Sequence, residues 1–189
     1  MSIVIITPTG GRQTQFNFCQ RFMSQQTYKG EVTWVIVDDC IPVTTSIVNA
    51  DFRVNWKIIN VFPRPAWSFG ANTQGRNIAA GLNEIKDLED IEAIFIIEDD
   101  DYYKPFYLER MVERLKGFEA AGELNTIYYN IAFNMYIRNG NTKHSSLFQT
   151  CFTPAALPVF RSCLNDKFID AAFFSKMKNV NLMHGWKIR

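Results

Sequence analysis

Short apolar runs alternate with amphipathic stretches through the first two-thirds of the chain, and this alternation predicts an α/β protein with a mostly parallel central sheet. The runs Ser2 to Thr7 (SIVIIT), Val32 to Val37 (VTWVIV), Val54 to Asn60 (VNWKIIN) and Ala93 to Ile97 (AIFII) are short and rich in β-branched residues. Strands covered on both faces have this composition. Between them, apolar residues recur at three-and-four spacing: Phe16, Cys19, Phe22 and Met23, then Ile78, Leu82 and Ile85, then Leu108, Met111, Val112 and Leu115. These predict three helices, with Pro105 at the first turn of the third and Gly117 near its end.

The last third follows a different pattern. Thr126 to Arg138 (TIYYNIAFNMYIR) predicts one long strand, and Asn139-Gly140-Asn141 predicts a turn before His144 to Phe152 (HSSLFQTCF). A hairpin or antiparallel excursion is therefore expected. Two helical segments follow, around Pro154 to Leu164 and Phe168 to Lys178. A chain of 189 residues has room for one domain with a sizeable core. Without a linker or repeat, the change of pattern divides that single domain into halves of about 1–117 and 118–189.

Composition narrows the picture in a few respects. The chain is 47% hydrophobic with sixteen Phe, which is a globular and not a disordered composition. A net charge of +1 gives no overall electrostatic footprint for nucleic acid or an anionic membrane. Cys19, Cys40, Cys151 and Cys163 lack CxxC spacing, so they read as reduced thiols packed as small apolar residues and not as zinc ligands. The apolar run Ile3 to Ile6 is too short for a signal peptide, and no segment approaches the roughly 20 apolar residues that span a bilayer. A cytoplasmic location is expected on that basis.

The candidate chemistry lies where the strands end. Thr7-Pro8-Thr9-Gly10-Gly11-Arg12 follows the first strand, Asp38-Asp39 the second, and Glu98-Asp99-Asp100-Asp101 the fourth. Ligands of an open parallel sheet bind at the carboxyl ends of its strands, so the three groups should face one cleft. The glycines at 10 and 11 match neither a GxGxxG nor a GxxxxGK[ST] phosphate loop, which disfavours dinucleotide oxidoreductases and P-loop enzymes. Two carboxylates about 4 Å apart repel by roughly 4 kcal/mol at an effective dielectric near 20, so a cluster in a cleft calls for protons or a cation. Hard oxygen ligands suit Mn2+ or Mg2+, which keep waters and take further ligands from substrate phosphates. The alternative is a solvated acidic loop whose charge complements the dipole of the next helix.

Taken together, these segments resemble the family-2 glycosyltransferases of the nucleotide-sugar-binding, single-Rossmann-like (GT-A) fold. The similar stretches are "IVIITPTGGR", "SQQTYKGEVTWVIVDDC", "GRNIAAGL" and "IIEDDDYYKPFYLERMVERL", in the family's order and spacing. The resemblance implies that a nucleoside-diphosphate sugar, UDP-sugar favoured, is held by Thr7, Pro8, Thr9, Arg12, Asp39, Arg76 and Asp99. Within that set, Asp39 would accept the ring N–H of uracil and Asp99 would lie beside the ribose. It also implies that Asp100 binds the metal, with Asp101 serving as a charge at the helix N-terminus. In two places the chain departs from the pattern: Glu98 stands where many members have the first aspartate of DxD, and Gly10-Gly11 replaces an aromatic-Asn pair. Glu98 is an additional metal candidate.

"FIDAAFFSKM" resembles the segment that carries the general base of an inverting transferase, which makes Asp170 the expected base and Asp166 the fallback. The sequence also permits a helix N-cap or first-turn role for Asp170, which can coexist with catalysis. His184 lies where several enzymes of this fold place a histidine that completes the metal shell; the plainer reading is a surface or packing residue. Tyr128, Tyr129, Tyr136, Phe148 and Trp186 offer aromatic surface to an acceptor, whether a saccharide, a protein side chain or a modified nucleic-acid base, or else pack in the core. The brevity of the acceptor half fits a small acceptor, an externally supported one, or a homo-oligomer that completes the site. Two other functions compete with this reading. A sugar-phosphate nucleotidyltransferase would carry a Gly-rich loop with Arg and Lys, of which only Gly10-Gly11-Arg12 is present. A non-catalytic nucleotide- or metal-binding module of receiver type would be shorter than this chain.

Overall fold

The structure, a computed structural model, describes residues 2–46, 55–130, 133, 135–138 and 140–184. Among them the sheet order is β3-β2-β1-β4-β8-β5-β9. The strands are β1 (Ser2–Thr9), β2 (Glu31–Asp38), β3 (Asn55–Val61), β4 (Ile91–Ile96), β5 (Ala120–Leu124), β8 (Thr150–Phe152) and β9 (Val180–His184). The four that the apolar runs predict, β1 to β4, are mutually parallel, whereas β8 runs antiparallel to both β4 and β5. Because β9 is parallel to β5, the sheet regains its original direction at the far edge.

Alternation along β1 shows why these strands are apolar throughout. Ile3 and Ile5 face one core with Phe16, Trp34, Phe95 and Leu108, while Val4 and Ile6 face a second core with Val35, Ile78, Phe160 and Phe173. The first core is covered by α1 (Gln13–Ser24) and α3 (Tyr107–Leu115). The second lies beneath α2 (Gln74–Asn83), α4 (Leu157–Arg161) and α5 (Ile169–Lys176), and it centres on Phe152 stacked at 4.4 Å on Phe160. With a layer of helices on each side, both faces of a strand must be apolar.

Three features depart from the sequence expectation. The stretch predicted as one long strand folds back on itself: β6 (Ile127–Asn130) pairs antiparallel with β7 (Met135–Arg138), outside the main sheet. The hairpin therefore lies within 127–138 and not at the predicted Asn139-Gly140-Asn141 turn. The fully buried β5, AAGEL, has no β-branched residue to announce it. Its small side chains answer a close approach, since a Cβ on Gly122 would sit 2.3 Å from Ser145 Cβ. The edge strand β9 was likewise unpredicted, and its pairing with β5 carries His184 to the level of Leu124.

Close packing also fixes α2, the helix that borders the cleft. A Cβ on Gly75 would lie 1.9 Å from the backbone carbonyl oxygen of Leu164, which cannot swing aside as a side-chain tip would. Gly75→Ala should therefore destabilise the fold by about 1–3 kcal/mol. Urea unfolding is the measurement, and an unchanged midpoint would contradict the close approach.

Candidate functional site

In chain order β1 leads to β2 and β3 on one side, and the chain then returns to place β4 on the other side of β1. Between β1 and β4 the connections therefore diverge, leaving a crevice at their carboxyl ends. Pairing of Thr9 with Asp38, and of Ile6 with Ile96, brings the loop at 10–12, the Asp38-Asp39 pair and the acidic run to this one edge.

Neighbouring carboxylates in these polar groups take different partners. Asp38 turns back to accept the backbone N–H groups of Cys40 at 2.8 Å and Val43 at 3.1 Å, which shapes the loop after β2. Asp39 instead accepts Arg76 Nη2 at 2.7 Å, while Arg76 Nη1 donates to the Pro65 carbonyl at 2.7 Å. In the acidic run, Asp99 is fully buried; it accepts the Thr9 hydroxyl at 2.6 Å and forms an ion pair with Arg12. Arg12 also donates to Asp100 at 3.0 Å. Carboxylate oxygens of Glu98, Asp100 and Asp101 lie within 4.8 Å of one another on the other side. Asp101 is thus a member of the carboxylate cluster and not the predicted helix-terminal charge, because α3 begins only at Tyr107.

Two further contacts hold the cluster in place. Glu98 accepts Gln74 Nε2 at 2.7 Å, and its backbone N–H donates to the buried Tyr103 hydroxyl at 3.0 Å. Burial, with the Asp100 charge behind it, pushes Glu98 up to about 7 even though Arg12 pulls the other way. Burial also lifts Asp101 to about 8, with Glu98 and Asp100 adding to the rise. Their mutual hydrogen bond lowers Glu98 and raises Asp101, so the pair titrates as a unit in which Asp101 keeps the proton. Asp99 is raised by burial too, against the opposing pull of Thr9 and Arg12. Three convergent hard-oxygen side chains suit a divalent cation of the Mg2+ or Mn2+ type.

The cluster separates two cavities. One, of about 520 Å³, is lined by Pro8, Thr9, Arg12 and Asp39 together with Trp67, Asn72 and Asn77. The other, of about 440 Å³, is lined by Asp101, Ser146, Phe148, Lys167, Phe168 and Asp170. Gln74, Glu98 and Asp100 line both.

Placement of the remaining candidates varies. Asp170 lies in the first turn of α5 on the second cavity, where one carboxylate oxygen accepts the Ala171 N–H at 2.8 Å. Asp166 is exposed and lines neither cavity. Thr7 is buried, its hydroxyl accepting Trp34 Nε1–H at 2.8 Å, and is not part of either lining. His184 is not brought to the acidic cluster: its Nδ1 pairs with Asn125 Nδ2 at 2.6 Å, and β9 stands three strands from β4, about 14 Å at the usual spacing. Of the aromatic candidates, Phe148 lines the second cavity and Tyr136 is exposed on the hairpin. The side chains of Tyr128 and Tyr129, and all of Trp186, lie outside the described residues.

Sequence reasoning missed Trp67, Gln74 and Lys167. Gln74 directly precedes the Gly-Arg-Asn helix start, which placed it within reach of detection. Trp67 sits in the irregular FPRPAWSFG stretch, where only its residue type was a signal.

Comparison with known proteins agrees with the architecture. No protein-family model matches the chain, and no curated protein matches it by sequence. Among solved structures, S. aureus TarS superposes with a TM-score of 0.62 at 12% identity over 98% of this chain and 36% of its own. The TarS 1-349 structure in complex with UDP-GlcNAc gives a TM-score of 0.59 at 15% identity, over 98% of this chain and 57% of its own. The mannosyltransferase PcManGT from Pyrobaculum calidifontis, in complex with GDP-Man and Mn2+, gives 0.60 at 12% identity, over 99% and 57%. The chain thus spans about a third of the length of TarS and under three-fifths of the other two. The sheet order, the cleft at its switch point and these likenesses establish the GT-A-like glycosyltransferase fold.

Proposed function

We propose that the chain is a family-2-like glycosyltransferase that moves a sugar, with inversion, from a nucleoside-diphosphate donor to an acceptor hydroxyl. The observation that carries this reading is the pair of cavities meeting at one carboxylate cluster, Glu98 and Asp100 being common to both. A transferase needs two substrate sites that share a reacting edge, whereas a binding module needs only one. The nucleotide sugars in the structures of similar fold, UDP-GlcNAc and GDP-Man, agree with the donor class.

In this reading the first cavity takes the donor. Asp39, steadied by Arg76, accepts a ring N–H of the base; Thr9 and Arg12, which hold the buried Asp99 behind them, face the ribose. The leaving diphosphate lies toward Asp100. A divalent cation on Asp100, with Glu98 and Asp101 as further oxygen ligands, would neutralise the charge that develops on the departing diphosphate. His184 has no part in this shell as its Asn125 contact stands. The acceptor enters the second cavity, where Asp170 removes its hydroxyl proton. The acceptor oxygen bonds to the anomeric carbon as the bond from that carbon to the diphosphate oxygen breaks. The proton resides on Asp170, and the nucleoside diphosphate departs.

Protons and cation compete for the same oxygens, which makes both stability and binding depend on pH. Glu98 and Asp101 have raised values in the folded chain, so between the unfolded and folded values the folded state binds more protons than the unfolded one. That contribution to stability is complete below the ordinary carboxylate range, and it is lost as pH rises through about 7 to 8.

With divalent cations chelated, melting temperature should fall between pH 6 and pH 8.5, and Asp101→Asn should flatten the fall. Scanning calorimetry would show this, and a melting temperature that rises over that range in both proteins would contradict it. Incubation with UDP-sugars and Mn2+ should release UDP. Asp170→Asn should keep donor affinity within about twofold while turnover falls roughly 10²- to 10⁴-fold; Asp100→Ala should weaken cation-dependent donor binding itself. Full turnover in the Asp170 variant would remove that residue from the base role.

A further inference from the structure

We infer that Trp67 is the stacking platform for the base of the donor, and so a determinant of its affinity that the motif positions do not include. The inference rests on the donor reading of the first cavity. Among the described residues Trp67 supplies the only aromatic side chain in that lining, and it is 45% exposed although both its N–H groups are bonded. Its backbone N–H donates to the Asp39 carbonyl at 2.7 Å, and its indole Nε1–H donates to the Ala71 carbonyl at 3.0 Å. Both N–H donors of the residue are thereby satisfied. What remains for a ligand is the apolar ring, held at a set orientation beside Asp39.

Two other features place the ring where a base would need it. Arg76 grips Asp39 and the Pro65 carbonyl together, so the carboxylate and the loop that carries Trp67 are positioned by one guanidinium. Across from them, a Cβ on Gly10 would lie 3.6 Å from Asp39 Oδ1. Gly10 therefore puts no side chain over the largely buried Asp39 carboxylate, and both residues line the cavity. A planar heterocycle laid on Trp67 could then present its edge to Asp39. Stacking accepts any base, so discrimination falls to the carboxylate. Uracil and guanine carry a ring N–H flanked by a carbonyl, whereas cytosine and adenine present a ring nitrogen acceptor there.

The test measures binding of UDP and of inorganic pyrophosphate to the full chain in Mn2+ by titration calorimetry. Trp67→Ala should weaken UDP about 5- to 150-fold, the range for loss of one base–aromatic stack, and leave pyrophosphate unchanged. Trp67→Phe should stay within a few-fold of the unmodified chain for both ligands. Should the alanine variant fail to fold, Trp67→Leu, which keeps apolar bulk without a π face, takes its place against Trp67→Phe. UDP affinity that survives in the alanine or leucine variant overturns the inference. So does an equal loss for UDP and pyrophosphate, because it reduces Trp67 to a support for the loop. If the unmodified chain binds pyrophosphate as tightly as UDP, or neither, the donor reading falls and the inference falls with it.

Discussion

Four consecutive carboxylates at the end of a strand buried on both faces repel one another, and the cleft is organised around relieving that repulsion. Arg12 reaches from the loop after β1 to Asp99 and Asp100, and Thr9 supplies a hydroxyl to Asp99. This is only available because β4 pairs directly with β1. A buried carboxylate stripped of such partners would be strongly destabilising. The charge problem posed by the run therefore dictates which loop must lie beside it.

Relief is incomplete by construction. Asp99 is turned inward and compensated, while Glu98, Asp100 and Asp101 are left converging, and proton affinity is raised at Glu98 and Asp101. The run divides after β4 has ended, and Tyr103 and Gln74 hold Glu98 at its inner end. What emerges is a concentrated site of hard oxygens on the wall between two cavities, the arrangement that two-substrate transfer chemistry requires.

Close backbone approaches fix the elements around this wall as well as polar contacts do. Gly75 and Gly122 each lie where a methyl group would collide with a neighbour. The small residues of β5 let the strand slip between β8 and β9, which in turn brings the 145–148 segment to the second cavity. The half of the domain with the weaker sequence signal thus completes the site whose first half is strongly patterned.

The sequence by itself determined the parallel core and part of the first cavity's lining. Continuous β-branched runs can be buried only as strands between helix layers, and polar residues at their ends can only gather at one edge of the sheet. Pro8, Thr9, Arg12, Asp39 and Asp100 were legible for that reason. Tertiary structure alone decided the rest. That Asp99 faces Arg12 while Asp101 joins Glu98 depends on side-chain direction after the strand has ended, where no periodicity applies. β5 was invisible because close packing selected Ala and Gly over the residues that usually mark a strand. Trp67 came to the cavity through two backbone carbonyls, those of Asp39 and Ala71, and a backbone carbonyl has no residue type for a sequence to display.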